Sequence, residues 1–331
     1  MPPHSLLNHR QSFSPYLRSP VLFLTHGLLN PLLWLVEKAG YSERFWRMIG
    51  RNLREQVTGG RNFGDYQATV HDVIVCTYPK CGTNWAMQIA YQVSMRGQGE
   101  YEHIHEVIPW PDGPGGYAIP LSDDAVRTAV PTGRRIIKTH LEWERVPHSE
   151  AARYICVIRD PKDAFVSNYH FVRDALFGPL MPSVATWLTV FLSDDAPFVW
   201  ATHLNGYWQE RHKPNLLIIM FEDMKKDLSQ AVRRIADFMD VQLTNREFAL
   251  VREKSSFAYM KGIDHKFIPP ALTPWSSPNR QLMRKGQSGG SAELLSSEQQ
   301  RAIDTYCKKE LQRLHCDFPY DEVWGGARVS H

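Results

Sequence analysis

A chain of 331 residues, 43% of them hydrophobic and 22% charged, can bury a large core and only moderately exceeds the usual size of one domain, so one domain with insertions is expected. Thirty-eight Lys and Arg against 35 Asp and Glu leave a net charge of +3, too mild to demand nucleic acid as a partner, so any anion binding must be local. Cys76, Cys81, Cys156, Cys307 and Cys316 form no CxxC pair, which argues against a disulfide framework or a zinc site and fits free thiols in a reducing compartment.

Residues 1–65 read as a helical N-terminal extension. The run from Val21 to Val36, VLFLTHGLLNPLLWLV, is apolar but is interrupted by His26, Gly27, Asn30 and Pro31. It is short for a span of about 20 apolar residues, and no small-residue cleavage site follows it. The continuation YSERFWRMIGRNLREQ places Phe45, Met48, Ile49 and Leu53 near one helical face, with Arg44, Arg47, Arg51 and Arg54 around it. That pattern suits an interfacial helix at a membrane surface as well as one docked on the domain.

Residues 66–331 carry the repeating pattern. Short apolar runs at Asp72 to Thr77, Arg135 to Thr139, Tyr154 to Ile158 and Leu216 to Phe221 predict buried strands. Helical patterns follow at Gly82 to Met95, Pro161 to Leu176, Asp223 to Met239 and Ser297 to Leu314. Strand followed by helix, several times over, predicts an α/β fold with a central parallel sheet flanked by helices. Pro/Gly clusters at PWPDGPGGYAIP and FIPPALTPWSSPNR mark loops. Ligands of such sheets bind beyond the carboxyl ends of the strands, so the residues standing there decide the chemistry.

The first strand end is CTYPKCGTNW, Cys76 to Trp85. A turn holding Lys80 and Gly82, followed by a helix from about Thr83, would aim free N–H groups and the positive end of the helix dipole into one concavity. The GxxxxGK[ST] pattern of an ordinary P-loop is missing, and no strand obviously ends in an acidic residue to hold Mg²⁺. The second end, KTHL, offers Lys138 and His140 on the same side as an acid/base pair; a structural histidine is the plainer reading of that segment alone. At the third, VIRDPKDAFVSNYHF, Arg159 can fork onto a phosphate and Ser167 can add a hydroxyl, although an ion pair with Asp163 would also explain the arginine. Near the C-terminus, MRKGQSGGS adds Arg284, Lys285 and Gly286, two cations and a close backbone approach, or else a solvated loop. Together the four segments fit one multiply charged ligand.

In this order the motifs resemble those of the cytosolic sulfotransferase family, which moves a sulfuryl group from 3′-phosphoadenosine 5′-phosphosulfate (PAPS) to a hydroxyl or amine. The resemblance runs from about Tyr66 to Phe318. TYPKCGTNW resembles the family's 5′-phosphosulfate loop, KTHL its catalytic strand, and VIRDPKDAFVSNYHF its 3′-phosphate segment. FEDMKKDL resembles its adenine-side turn, and RKGQSGG its closing loop. The resemblance implies a fold related to P-loop kinases, with no metal required and 3′-phosphoadenosine 5′-phosphate (PAP) as product. It assigns Lys80, Cys81, Gly82, Thr83 and Asn84 to the 5′-phosphosulfate and Trp85, Phe221, Ser255 and Phe257 to the base side. Arg159, Ser167, Arg284, Lys285 and Gly286 would hold the 3′-phosphate. His140 would be the general base, Lys80 would neutralise the leaving oxygen, and Lys138 would support the transferring group.

Three departures from the family pattern carry expectations of their own. Cys81 replaces a common serine, and a thiol at a helix N-terminus beside Lys80 is expected to have a lowered pKa and to be sensitive to alkylation. Phe221 replaces a tyrosine, which removes one hydroxyl from the base side. Gly290, Ser291, Ala292, Ser296, Ser297 and Arg301 occupy the places of the family's dimerisation motif, so a monomer or a different dimer is expected. The aromatic content around Trp110, Tyr169, His170 and Phe171 and the segment from Ile268 to Trp275 predicts a hydrophobic alcohol, phenol or sterol-like acceptor. A small-molecule kinase and an inactive PAPS-binding protein are the competing functions. The expected setting is cytoplasmic, with an N-terminal segment suited to a membrane surface.

Overall fold

The computed structural model describes residue 20 and residues 23–59, 62–113, 118–269, 271, 273–277, 279–286 and 288–325. The start of the N-terminal extension, parts of the two Pro/Gly loops and residue 287 of the closing segment therefore lie outside the described residues.

Among the described residues four strands form the sheet, β1 (Asp72–Thr77), β2 (Arg135–Thr139), β3 (Arg153–Ile158) and β4 (Leu216–Met220), in the order β2-β1-β3-β4 with every pair parallel. Each is a run rich in Val, Ile or Leu, as strands covered on both faces require. Val73 and Val75 of β1 pack with Ala86, Met87, Ile89 and Ala90 of the helix Thr83–Ser94 and with Val232 and Ile235 of the helix Leu228–Phe238. The alternate residues Ile74 and Cys76 join the opposite cluster, with Phe165 of the helix Pro161–Val172, Tyr207 of Trp200–Gln209 and Ile303 of Ser297–Arg313. The period of two thus builds a core on each side, and the expected α/β fold with a central parallel sheet is what the chain forms.

A buried polar cluster pins the starts of the two adjacent strands. Asp72 accepts from the Tyr66 hydroxyl at 2.5 Å and from the Arg135 guanidinium at 2.9 Å and 3.1 Å. Asp72 is fully buried and Arg135 nearly so, a pairing that would cost several kcal/mol to leave half-made.

Two helices differ from the sequence reading. The run from Asp223 to Met239 is two helices, Phe221–Lys226 and Leu228–Phe238, because Asp227 leaves the helical region and caps the second by accepting from the Gln230 N–H at 2.9 Å. The helix opened by Pro161 ends as α-helix at Val172 and continues as a π-helical turn, Arg173–Phe177, stopped by Gly178 at φ 52°.

At the N-terminal side a turn at Thr25–Leu29 leads into helices Asn30–Lys38 and Ser42–Thr58. The second is docked: Trp46 is buried in the core cluster, and Arg47 and Arg51 both pair with Asp195 at 3.0 Å. Among the described residues no helix is long and apolar enough to cross a membrane.

Candidate functional site

The carboxyl ends of the parallel strands open onto one cavity of about 980 Å³. Lys80, Gly82, Thr83, Asn84 and Trp85 line it from the β1 end, Lys138 and His140 from β2, Arg159 and Ser167 from β3 and its helix, and Phe221 from β4. Phe257, Arg284, Lys285 and Gly286 close it. Of the residues expected to hold the cofactor or act in catalysis, Cys81 and Ser255 stand outside the lining.

The β1 turn is built on two left-handed residues, Lys80 at φ 68° and Gly82 at φ 99°. Glycine is required at the second for its backbone, and also because a Cβ there would sit 2.8 Å from the Phe221 ring. Gly82 is the N-cap of the helix Thr83–Ser94 and supplies no side chain to it, so the first-turn N–H groups and the positive dipole end are left for an anion. Thr77 and Thr83 join their hydroxyls across the turn, and the Arg159 guanidinium donates to the Lys80 carbonyl at 2.9 Å. Arg159 also lies 4.4 Å over the Phe221 ring and 3.9 Å from Asp163.

Cys81 corrects the sequence reading. Its side chain is fully buried, and burial pushes the thiol up to about 12 despite the neighbouring Arg159. Desolvation outweighs the helix end that was expected to lower it. Its N–H is already donated to the Tyr78 carbonyl at 3.1 Å, which closes the turn. Cys81 thus shapes the loop from beneath. Ser255 is fully buried too; its carbonyl accepts from the Trp85 indole N–H at 2.8 Å, which holds that ring edge-on to Phe221 at 5.6 Å.

His140 is oriented from both sides. Its Nδ1 lies 2.8 Å from the Thr77 carbonyl oxygen, which can only accept, so Nδ1 carries the proton and Nε2 keeps its lone pair. Its backbone N–H donates to Asp112 at 2.8 Å, and its ring stands edge-on to Trp110 and Phe198. Burial, with Lys138 nearby, keeps the imidazole well below its ordinary pKa and therefore neutral. Lys138 has its ammonium 3.2 Å from the centre of the Trp110 ring, and burial lowers its pKa as well. Lys80 lies 4.5 Å over the Phe171 ring; burial, with Arg159 adding, brings it down to about 8.

In the closing segment, Gly286 at φ 59° passes so near Phe257 that a Cβ would lie 2.3 Å from its ring. Arg284 and Lys285 both donate to the carboxylate of Glu293, and His170 lies 3.7 Å from it. Partial burial opposes ionisation of Glu293, but the two cations hold its carboxyl down at about 2. The Gly289 N–H docks on Asp163 at 2.7 Å.

Beyond Trp110 and Phe171, which lie against the two lysines, the wall is apolar, with Leu176, Trp187, Phe191, Phe198 and Pro269. Trp110, Phe171 and the loop after Ile268 take part as expected. Tyr169 and His170 do not line it: the Tyr169 hydroxyl is turned to the Pro182 carbonyl at 2.8 Å, and His170 lies against Glu293. The sequence reading missed Asp112, Phe198, Glu293, and Leu53, Gln56 and Val57 of the N-terminal helix, all of which line the cavity. Only Glu293 had a readable signal, an acid eight residues after Lys285. Among the described residues no three His, Cys, Asp or Glu side chains gather as a metal site.

A protein-family model for the sulfotransferase domain matches residues 70–315. The chain is 28% identical over 269 residues to sulfotransferase 1C2 of Oryctolagus cuniculus, covering 76% of this chain and 87% of that protein. It is 29% identical over 258 residues to sulfotransferase 2A1 of Macaca fascicularis, covering 76% and 88%. In fold it is similar to mouse sulfotransferase SULT7A1 complexed with PAP, at TM-score 0.59 and 24% identity over 78% of this chain and 89% of that one. It is likewise similar to retinol dehydratase in complex with androsterone and the inactive cofactor PAP, at TM-score 0.62 and 19% identity, with coverages of 80% and 88%.

Proposed function

The chain belongs to the sulfotransferase domain family, and from that premise we propose that it transfers a sulfuryl group from PAPS to the hydroxyl of a hydrophobic alcohol, phenol or sterol-like acceptor. The observation that carries this reading is the pairing, in one cavity, of a cationic anion-binding turn with a neutral histidine whose Nε2 lone pair is available.

In this reading the first-turn N–H groups of Thr83, Asn84 and Trp85, with Lys80, bind the 5′-phosphosulfate, and Trp85 and Phe221 bound the base. Arg159, Ser167, Arg284, Lys285 and the backbone at Gly286 bind the 3′-phosphate. His140 Nε2 removes the acceptor hydroxyl proton while that oxygen forms its bond to sulfur. The bond from sulfur to the bridging phosphate oxygen breaks in line, and PAP leaves with the negative charge that Lys80 neutralises. Lys138, held against Trp110, adds positive charge beside the transferring group. Fixed cations thus do what a metal ion does in the phosphoryl analogue. The apolar wall around Phe171, Trp187 and Phe198 supports a hydrophobic acceptor. The altered residues from Gly290 to Arg301 support a monomer or a dimer unlike that expected of the family, which sedimentation at micromolar concentration would decide.

Transfer of sulfur-35 from PAPS to a panel of phenols, steroids and long-chain alcohols, with and without EDTA, tests donor and acceptor together. Labelled product that survives EDTA is expected. Absence of product with every acceptor, or transfer of phosphate from ATP instead, would overturn the reading.

A further inference from the structure

The large apolar side chains left exposed among the described residues are concentrated at one place. Phe23, Leu24, Leu28, Leu32, Trp34 and Leu35 are each more than half exposed, Phe23 at 81%, and Tyr41 follows at 57%. Beyond residue 48 only Val70, Phe257 and Val323 join them, widely separated in sequence. The helix Asn30–Lys38 has no buried residue at all. A contiguous apolar surface of this kind on a soluble fold marks an interaction site.

This segment is nevertheless held to the domain. Thr25 is fully buried and its hydroxyl accepts from the Trp275 indole at 2.8 Å, while Leu33 packs against the main core. One side is fastened and the other is presented to solvent. The occupant is indicated by charge. Residues 1–59 carry seven Lys and Arg against three acidic residues, a surplus of four, whereas the whole chain has a surplus of three. All of the chain's positive balance therefore lies in this stretch. Lys38 and Arg44 are exposed beside the apolar face, and Lys38 rests 5.7 Å over the Trp34 ring. Apolar side chains, an exposed Trp and Tyr, and surrounding cations suit the boundary between lipid headgroups and acyl chains. Within residues 23–48 Lys38, Arg44 and Arg47 stand against Glu37 and Glu43, and Arg47 is paired with Asp195, so the surplus at this face comes from Lys38, Arg44 and, in the sequence just before it, Arg10 and Arg18.

We propose that residues 23–48 form a docking face for an anionic lipid bilayer. The face adjoins the cavity: Leu53, Gln56 and Val57 of the next helix line it, as do Pro269 and Thr273 of the loop that holds Thr25 through Trp275. Building on the proposed transfer to a hydrophobic acceptor, docking would let the acceptor pass from lipid to His140 with little exposure to water.

The test is flotation of the full chain with vesicles of phosphatidylcholine alone and of an equal mixture with phosphatidylserine. Wild-type protein is expected to float with the mixed vesicles, less with phosphatidylcholine alone, and less again in high salt. The triple variant Leu28→Ser, Leu32→Ser, Trp34→Ser should lose flotation while keeping its circular dichroism, its PAP affinity and its turnover of a water-soluble phenol. Wild type remaining in the dense fraction with anionic vesicles would overturn the proposal. So would sedimentation showing a dimer that the triple variant dissociates, with no vesicle binding by either form. If flotation occurs but no acceptor is sulfated, the docking face stands and the functional reading falls.

Discussion

His140 donates its Nδ1–H to the carbonyl of Thr77, the last residue of β1, at 2.8 Å. The strand that leads into the turn of Lys80 and Gly82 thereby also sets which nitrogen of the histidine can accept a proton. Replacing His140 with Ala should lower kcat by about 10²–10⁴ and leave the Kd for PAP nearly unchanged. Stopped assays with labelled PAPS, set beside calorimetric PAP titrations, measure the two quantities separately. An equal loss in both would remove His140 from the role of base.

The acid side of the pH profile follows from the same burial. A base whose pKa lies well below 6.5 stays neutral as pH is lowered through that value, so kcat/KM should be flat from neutral pH to below 6.5. A decline centred near 6.5 would mean that the imidazole is ordinarily solvated.

On the alkaline side Lys80 and Lys138 act together. Burial brings Lys80 to about 8 and Lys138 to about 7, and an anion placed against them raises both values again. PAP binding at pH 8 should therefore take up protons, and affinity should weaken as pH rises past 8. Calorimetry in two buffers of different ionisation enthalpy reads the uptake, which Lys80→Met should reduce. Identical enthalpies in both buffers would show that Lys80 is already charged.

Glu293 occupies the cations that the 3′-phosphate is proposed to use. An ordered internal anion must be displaced before an external one binds, so Glu293→Gln should tighten PAP by about tenfold, ~1.4 kcal/mol. Adenosine 5′-phosphate, which lacks the 3′-group, should bind both forms alike. A uniform gain for both nucleotides would point to general electrostatics in place of a specific contact.

Cys81 should resist iodoacetamide in the folded protein, because the thiolate needed for alkylation is suppressed and the sulfur is fully buried. Mass-spectrometric mapping should find Cys316, the only cysteine not fully buried, modified first. Rapid labelling of Cys81 with loss of activity would restore the expectation drawn from its place at a helix end.

Much of this was legible in the sequence because it is local. β1 and β2 are short runs around Val73 to Val75 and Ile136 to Ile137 that are buried throughout. The residues at their carboxyl ends share a cavity because parallel strands must end at one edge. The rest depends on what folds over what. Cys81 carries the local signature of an activated thiol, and only the packing of the turn shows that burial dominates. Asp227 looks like a charged residue within a long amphipathic helix until its side chain is seen capping the second half. Leu53, Gln56 and Val57 carry no chemistry that would mark them as cavity lining, since their place there comes entirely from how their helix docks.

The strand order has a consequence for how the chain is made. β1 is flanked by β2 on one side and β3 on the other, so its second neighbour is absent until translation passes Ile158. The cavity itself lacks a wall until Glu293 has emerged. Between the completion of β1 at Thr77 and that of β3 at Ile158 the nascent chain carries a hydrophobic strand with an unmatched edge, and contacts of such wide separation close slowly. A message truncated before the closing segment would yield a product whose cavity lacks Arg284, Lys285, Gly286 and Glu293. Recombinant yield should accordingly respond more to slow translation and cool growth than to surface charge.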